Sequence, residues 1–116
     1  MHGREFFILH FFFFVILLHI MRLDVVERKA LKYALGEFTG DVYLFGSRVN
    51  MKKRGGDIDL LLIPDKKTSS LKMALKVQAR YFSQCEQKLD VIVYDDKDPF
   101  CREIIKSARR INTAKL

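Results

Sequence analysis

The chain has 116 residues, which is enough for one domain with a single core and too few for a second. Apolar residues make up 49% and charged residues 30%, a balance that excludes an intrinsically disordered chain. The formal charge of +7 favours a polyanionic partner or substrate, such as nucleotide phosphates, RNA or an acidic protein. Two cysteines, Cys85 and Cys101, lack CxxC or zinc-ligand spacing, so we expect free thiols in a reducing cytoplasm.

Residues 1–21 form an apolar extension built around the run FFILHFFFFVILLHIM. This run is shorter than the ~20 apolar residues of a spanning helix, and Glu5 and the lack of a small-residue cleavage site argue against a signal peptide. We therefore expect no membrane span and no secretion. Two interpretations stay open. Translation starts at Met21 and the upstream run is misassigned or added, or the run is native and docks on a partner or a membrane surface.

Helical and strand patterns alternate along the rest of the chain. Apolar residues recur at helical spacing over residues 24–38, which predicts a first helix closed by a glycine. The run DVYLFG at residues 41–46 is rich in β-forming residues and predicts the first strand. A polar connector with a short helical turn after Ser47 leads to the second strand, DIDLLLIP at residues 57–64, which ends at a proline.

The second half of the chain predicts two more helices with one strand between them. A helix over residues 68–85, capped by Thr68 or Ser69, has an apolar face made of Leu71, Leu75, and Tyr81 or Phe82. The strand follows at residues 88–96, and an aspartate cap with a following proline begins the last helix at residues 98–111. The predicted order is α-β-β-α-β-α. This order indicates an α/β (α+β) fold, a small mixed β-sheet flanked by helices.

Three aspartates stand beside apolar strand residues. Asp57 and Asp59 share one face of the second strand, about 6.6 Å apart, because a strand rises about 3.3 Å per residue. Their ionised carboxylates repel each other by about 2–3 kcal/mol at an effective dielectric constant of about 20. A divalent cation removes this repulsion, and carboxylate oxygens select Mg²⁺ or Mn²⁺. Asp90 adds a third acid if its strand pairs beside the second strand, which would suit a two-metal site.

Ordinary ion pairs are the competing interpretation of these acids. Asp57 would then cap a loop, Asp59 would pair with a lysine or arginine of the connector, and Asp90 would pair with Lys88. Taken one at a time, the acids do not decide between the two interpretations. The residues that precede them on the first strand favour the metal site.

Gly46 and Ser47 end the first predicted strand and suit a triphosphate. The glycine lets the backbone approach a phosphate closely, and the following amides and the serine hydroxyl can donate hydrogen bonds to its oxygens. A Gly-Ser pair is a weak signal by itself. A much more specific pattern is formed by the whole series: a strand ending in Gly-Ser, a spacer of nine residues, Asp-Ile-Asp on a second strand and an acid on a third.

This pattern resembles the nucleotidyltransferase superfamily related to DNA polymerase beta, and most closely its minimal nucleotidyltransferase (MNT) branch. The resemblance covers about residues 22–110, and the motifs that carry it are Phe45-Gly46-Ser47, Asp57-Ile58-Asp59-Leu60 and Leu89-Asp90-Val91. It implies a nucleotidyltransferase fold in a domain at residues 22–116. It also implies a reaction in which a nucleoside triphosphate gives up its nucleoside monophosphate to a hydroxyl and releases pyrophosphate.

The resemblance further implies roles for the site residues. The catalytic residues and metal ligands would be Asp57, Asp59 and Asp90, which would hold Mg²⁺, with two ions expected. Asp90 would also help to deprotonate the acceptor hydroxyl. Gly46 and Ser47 would grip the β- and γ-phosphates, and Arg48 would add nucleotide-binding positive charge.

Small members of the MNT branch commonly pair with a helical HEPN protein as a toxin–antitoxin system. In such pairs the MNT protein adenylylates a tyrosine of the toxin, so the resemblance implies ATP, a HEPN-type partner and a homo- or hetero-oligomer in the cytoplasm. The alternative is a non-catalytic, antitoxin-like binding module that neutralises its partner by contact. An RNA-binding module, suggested by the basic tail REIIKSARRINTAK, is less favoured, because this pattern is typical of a surface helix.

Overall fold

The computed structural model describes residues 23–49, 56–67 and 69–116. The apolar run at residues 6–21, residues 50–55 of the loop between the first two strands and the predicted cap Thr68 lie outside these ranges. The division into an extension at residues 1–21 and a domain at residues 22–116 therefore stays a prediction.

Within the described ranges, three α-helices form where side chains cap their first turns: α1 Val25–Ala34, α2 Ser70–Phe82 and α3 Pro99–Ile104. At α1, Asp24 and Glu27 make a capping box, in which each side chain accepts a hydrogen bond from the other's backbone N–H. The Ser69 hydroxyl caps α2, and Asp98 caps α3, which has Pro99 at its first position. In the described part of the chain, no helix has the length and apolar character that crossing a bilayer requires.

Four strands form one mixed sheet in the order β3-β2-β1-β4. Their bounds are β1 Gly40–Phe45, β2 Ile58–Pro64, β3 Leu89–Val93 and β4 Arg109–Ile111. β1 pairs antiparallel with β2 and β4, whereas β2 pairs parallel with β3 across the connection made by α2. The predicted α/β (α+β) architecture, a small mixed sheet flanked by helices, is confirmed.

The main core lies between the sheet and helices α1 and α2. Its fully buried members include Leu31, Ile58, Leu60, Leu62 and Tyr81. Because side chains alternate along a strand, Asp59 and Leu61 face the other side of the sheet, where Leu61 packs with Cys101 of α3. Ile58, Leu60 and Leu62 of β2 therefore face α1 and α2, whereas Asp59 faces the side of the sheet on which α3 lies.

The apolar face predicted for α2 is largely wrong. The exposed fractions are 69%, 54% and 47% for Leu71, Leu75 and Phe82. The inner face instead comes from Met73, Val77 and Tyr81, which are spaced four residues apart. The helix packs on α1 and the sheet with this narrower stripe, and the larger leucines are left outside.

A short strand replaces the second half of the last predicted helix. Helix α3 ends at Ile104, and after a turn the segment Arg109–Ile111 pairs with β1 as an edge strand. The observed order is therefore α-β-β-α-β-α-β. The helical spacing that suggested a basic RNA-binding surface is absent from this segment, which is a strand with Arg109 and Arg110 exposed and Ile111 buried.

Candidate active site

The predicted acids converge at one end of β2 and β3. Asp59 of β2 is in register with Asp90 of the parallel strand β3, and Asp57 lies just before β2. Residues in register on parallel neighbours point to the same face, so the Asp59 and Asp90 carboxylates are adjacent. Lys88 lies between Asp57 and Asp90, with its Nζ 3.4 Å from Asp57 Oδ2 and 3.9 Å from Asp90 Oδ2. The chain thus gathers three carboxylates around one ammonium group.

The electrostatics of this cluster bear most strongly on Asp59. Partial burial raises the pKa of Asp59 above its ordinary value of 3.8, and the charges of Asp90 and Asp57 raise it further. The Lys88 ammonium opposes this shift in the pKa without cancelling it. Among the described residues, Asp59 forms no salt bridge, so the negative charge of the cluster is incompletely balanced there.

This raised pKa gives a pH-dependent stability prediction. The folded protein binds the Asp59 proton more tightly than the unfolded chain, so ionisation costs stability as the pH rises through the folded pKa. Below the unfolded pKa of about 3.9 both states are protonated and the cost is absent. We expect Asp59→Asn to raise the melting temperature of the metal-free protein at neutral pH, with a gain that vanishes near ~pH 3.

Thermal unfolding in a chelating buffer across this pH range measures the effect. The matched control is Asp41→Asn, which removes a carboxylate on β1. Its Oδ1 lies 2.8 Å from Nη2 of Arg110 on β4. We expect no gain in melting temperature from that control. An equal response of the Asp59 and Asp41 variants at neutral pH would contradict the stated origin of the shift.

Lys88 competes with any cation for the same oxygens. Its side chain is 64% exposed, so its ion pairs with Asp57 and Asp90 are weak. Lys88→Met should tighten binding of Mn²⁺ to the nucleotide-free protein by about threefold to fivefold, since exposed charge pairs contribute up to about 1 kcal/mol. Lys106→Met, which removes an exposed lysine paired with Glu103, should leave the affinity unchanged in the same titration.

The donor set fits a hard divalent cation. Carboxylate oxygens are the ligands that Mg²⁺ accepts, and a shared cation relieves the crowding that raises the Asp59 pKa. Over residues 23–49, 56–67 and 69–116, no group of three or more histidine, cysteine, aspartate or glutamate side chains is placed to hold a metal ion. The acids would therefore supply part of a coordination shell and leave positions for water and phosphate oxygens, as is usual for Mg²⁺.

Gly46 lies directly against the acids. It follows β1 and begins a 3-10 turn, Gly46–Val49, with a φ of +76° that side chains rarely adopt. A Cβ at this position would overlap Oδ2 of Asp59. The absence of a side chain thus lets the turn and the carboxylate share one small space.

Ser47 lies in a second close approach between the turn and β2. Gly56 has a φ of +95°, and a Cβ there would overlap the Ser47 Oγ. The serine hydroxyl is therefore held beside the backbone that leads into Asp57. Gly46 and Ser47, which are separated from the acids in sequence, adjoin them in the fold.

Arg48 is placed differently from the other predicted site residues. Its residue exposure is 8%, and Nη1 and Nη2 each lie 2.8 Å from an oxygen of the buried Glu27 carboxylate. Its Nε donates a hydrogen bond to the Gly56 carbonyl oxygen at 3.0 Å. Glu27 was missed by the sequence reasoning, and the only local signal for it is the capping pattern Asp24-x-x-Glu27 at the start of α1.

Comparison with known protein families identifies this arrangement. The family model described as polymerase beta, nucleotidyltransferase, matches residues 39–115, which is about two thirds of the 116 residues. The matched segment contains the Gly-Ser turn, all three acids and all four strands. Comparison with curated proteins gives no match. The chain belongs to the polymerase beta nucleotidyltransferase family, and the predicted nucleotidyltransferase fold is confirmed.

Proposed function

We propose that this nucleotidyltransferase is Mg²⁺-dependent and transfers AMP from ATP to a hydroxyl of a partner protein. The observation that carries the proposal is the in-register pair of Asp59 and Asp90 beside the Gly46-Ser47 turn. This pair brings a set of cation-binding oxygens and a phosphate-binding turn to the same end of the sheet. An acceptor hydroxyl and a triphosphate could therefore meet there.

Each site residue has a role in this reaction. The amides after Gly46 and the Ser47 hydroxyl would donate hydrogen bonds to the β- and γ-phosphates, which orients the α-phosphorus toward the acids. Bound Mg²⁺ would supply Lewis-acid stabilisation of charge on the attacking and leaving oxygens. Asp57 and Asp59 would hold the metal, and Asp90 would complete its ligand set.

The bond changes follow from these positions. The Asp90 carboxylate would accept the proton of the acceptor hydroxyl, whose oxygen forms a bond to the α-phosphorus. The bond from the α-phosphorus to the oxygen bridging to the β-phosphorus breaks, and that oxygen leaves with pyrophosphate. The product is a phosphodiester between the acceptor and AMP.

The proposed partner is a HEPN-type toxin that this chain modifies as its MNT antitoxin. The support is the resemblance to the MNT branch, and the proposal includes a homo- or hetero-oligomeric complex with that partner. Cys85 and Cys101 are both free thiols, which supports a reducing cytoplasm as the site of action.

Label transfer tests the proposed activity. The purified chain is incubated with Mg²⁺, a lysate of the host cell and each nucleoside triphosphate labelled at the α-phosphorus. We expect a labelled protein band with ATP, chelator-sensitive, and none with the Asp57→Asn variant. Label on RNA instead of protein, or label that persists in the variant, would overturn the proposal.

Contact neutralisation is the second candidate function, and one surface favours it. Leu71, Leu75 and Phe82 lie on one side of α2 and are all largely exposed. Exposed apolar groups of this kind are typical of protein-binding surfaces. If neutralisation works by contact, a variant without its acids would still neutralise the partner. If it works by nucleotidyl transfer, the same variant would fail to neutralise it.

A further inference from the structure

We propose that Arg48 is a positioning residue, which fixes the Gly46-Ser47 turn against Asp57 by joining Glu27 of α1 to the Gly56 carbonyl. This inference rests on the proposed function only for its effect on nucleotide binding, because the contacts themselves belong to the nucleotide-free protein. It departs from the expectation that Arg48 binds the nucleotide directly.

The arginine and the glutamate form a buried, two-point contact. Both terminal nitrogens of Arg48 lie 2.8 Å from Glu27 oxygens, and the side chains are only 9% and 5% exposed. Nη1 donates a hydrogen bond to Oε1, whereas Nη2 and Oε2 form a close ion pair without hydrogen-bond geometry. A planar guanidinium and a carboxylate that meet at two points constrain each other's orientation as well as their separation. The Glu27 carboxylate is itself held by the Asp24 backbone N–H at 3.1 Å. The first turn of α1 therefore provides a fixed anchor.

The third contact of Arg48 is with Gly56, in the segment that leads into β2. Arg48 lies in the turn after β1, and its Nε donates to Gly56, which immediately precedes Asp57. One side chain thus ties together the two ends of the loop between β1 and β2. The close approach of Gly56 to the Ser47 hydroxyl depends on the same spacing.

This geometry separates positioning from direct phosphate contact. Both terminal nitrogens of the guanidinium contact the buried Glu27 carboxylate. The charged end of Arg48 is therefore directed into the fold, away from an incoming triphosphate. Removing Glu27 would leave the arginine charge in place but take away its anchor. If Arg48 were a phosphate ligand, that change would preserve or strengthen nucleotide binding, whereas a positioning role predicts the opposite.

A double-mutant cycle on nucleotide affinity makes the distinction. The variants are Arg48→Met, Glu27→Gln and the pair together, and glutamine can still serve in the capping box. We expect each single variant to weaken binding of a non-hydrolysable ATP analogue with Mg²⁺ by about tenfold. The double variant should be no weaker than Arg48→Met alone, because the contact between Arg48 and Glu27 is already lost in that variant. Unchanged affinity in Glu27→Gln with weakened affinity in Arg48→Met would overturn the proposal.

Hydrogen exchange without nucleotide tests the contact independently of any activity. We expect Arg48→Met and Glu27→Gln to speed amide exchange in residues 46–49 and 56–59, and Arg48→Lys to have an intermediate effect, because lysine can pair with Glu27 but cannot also reach Gly56. Arg110→Met, which breaks the exposed pair with Asp41, is the matched control and should leave both segments unchanged.

The two measurements keep the inference and the proposed function apart. Unchanged exchange at both segments in Glu27→Gln and Arg48→Lys would overturn the positioning role whatever the nucleotide data show, even if Arg48→Met fails to fold. If the Arg48 and Glu27 variants exchange faster but the unmutated chain binds no triphosphate, the positioning contact is supported and the proposed function is overturned.

Discussion

Asp59→Asn is expected to lower the rate of nucleotidyl transfer by about 10³-fold or more while the protein stays folded. Asparagine keeps the shape of the side chain but loses the negative charge that would bind a divalent cation. The stabilisation that a bound metal gives to a phosphoryl transition state is several kcal/mol, and about 4 kcal/mol corresponds to about 10³-fold. Single-turnover transfer of the α-labelled phosphate measures the effect.

The position of Asp59 explains why its loss should be so costly. It is the acid in register with Asp90 and the one that touches the Gly46 turn, so it joins the proposed metal-binding and phosphate-binding parts of the site. Asp57→Asn should also be severely impaired, although Asp57 lies outside the strand and pairs with Lys88. Activity of the Asp59 variant within tenfold of the parent protein would rule out its assigned role.

The matched control is again Asp41→Asn, which makes the same chemical change on the neighbouring strand β1. Asp41 is paired with Arg110 and lies at the opposite end of β1 from the Gly46 turn. We expect its transfer rate to change by less than about twofold, as is usual for surface substitutions outside a site. The control therefore separates loss of the site from loss of negative charge in general.

The Asp59 variant is also expected to combine lower activity with higher stability. Burial and like charges raise the pKa of Asp59, so the ionised acid destabilises the metal-free fold and its removal relieves that cost. A change that stabilises the fold and abolishes transfer is the expected behaviour of a functional residue. A merely structural acid would give the opposite pairing, because its loss would weaken the fold.

The same substitutions separate the enzyme from the contact antitoxin. If the variant with both Asp57→Asn and Asp59→Asn still neutralises the toxin in cells as well as the parent protein, transfer is unnecessary for neutralisation. The exposed apolar side of α2 would then be the part of the molecule to change, beginning with Leu75→Ser. If neutralisation is lost together with transfer, modification of the partner is the mechanism.

Local sequence was sufficient to predict that Asp57 and Asp59 lie close together, and their catalytic role stays a proposal. Alternation along a strand puts Asp57 and Asp59 on one face, and it needs no information beyond two residues. The convergence of Asp90 depended on β3 pairing beside β2, which is a tertiary event, and the sequence could state it only as a condition. The parallel register of Asp59 with Asp90 fulfils that condition.

The contacts of Arg48 lie outside what local sequence can predict. A basic residue directly after Gly-Ser has the local pattern of a phosphate ligand, but its partner Glu27 is 21 residues away and on a different element. The same limit applies to the strand Arg109–Ile111, because three residues at a sheet edge carry too little pattern to oppose a helical spacing. In both cases the deciding contact is between elements rather than within one.

Gly46→Ala is expected to lower transfer by about 10²-fold and to destabilise the fold by about 1–2 kcal/mol. The stability cost arises because a φ of +76° lies in the left-handed region, which costs a side chain about that amount. The loss of activity arises because the new Cβ would overlap Oδ2 of Asp59 and displace the carboxylate from its partners. Displacement of a catalytic group by about 1 Å is enough for about a 10²-fold loss.

Two other glycines supply controls of the same chemical change. A Cβ at Gly36 would meet its nearest atoms at 3.4–3.6 Å, so Gly36→Ala should change neither stability nor transfer strongly. A Cβ at Gly40, where φ is +144°, would overlap the Ile63 carbonyl at the far end of β1, so Gly40→Ala should destabilise the fold without touching the acids. Calorimetric unfolding and single-turnover rates per folded molecule separate these effects. If the folded fraction of Gly46→Ala transferred as fast as that of Gly40→Ala, the turn would serve only to fold the chain, and the close contact between backbone and carboxylate would have no catalytic role.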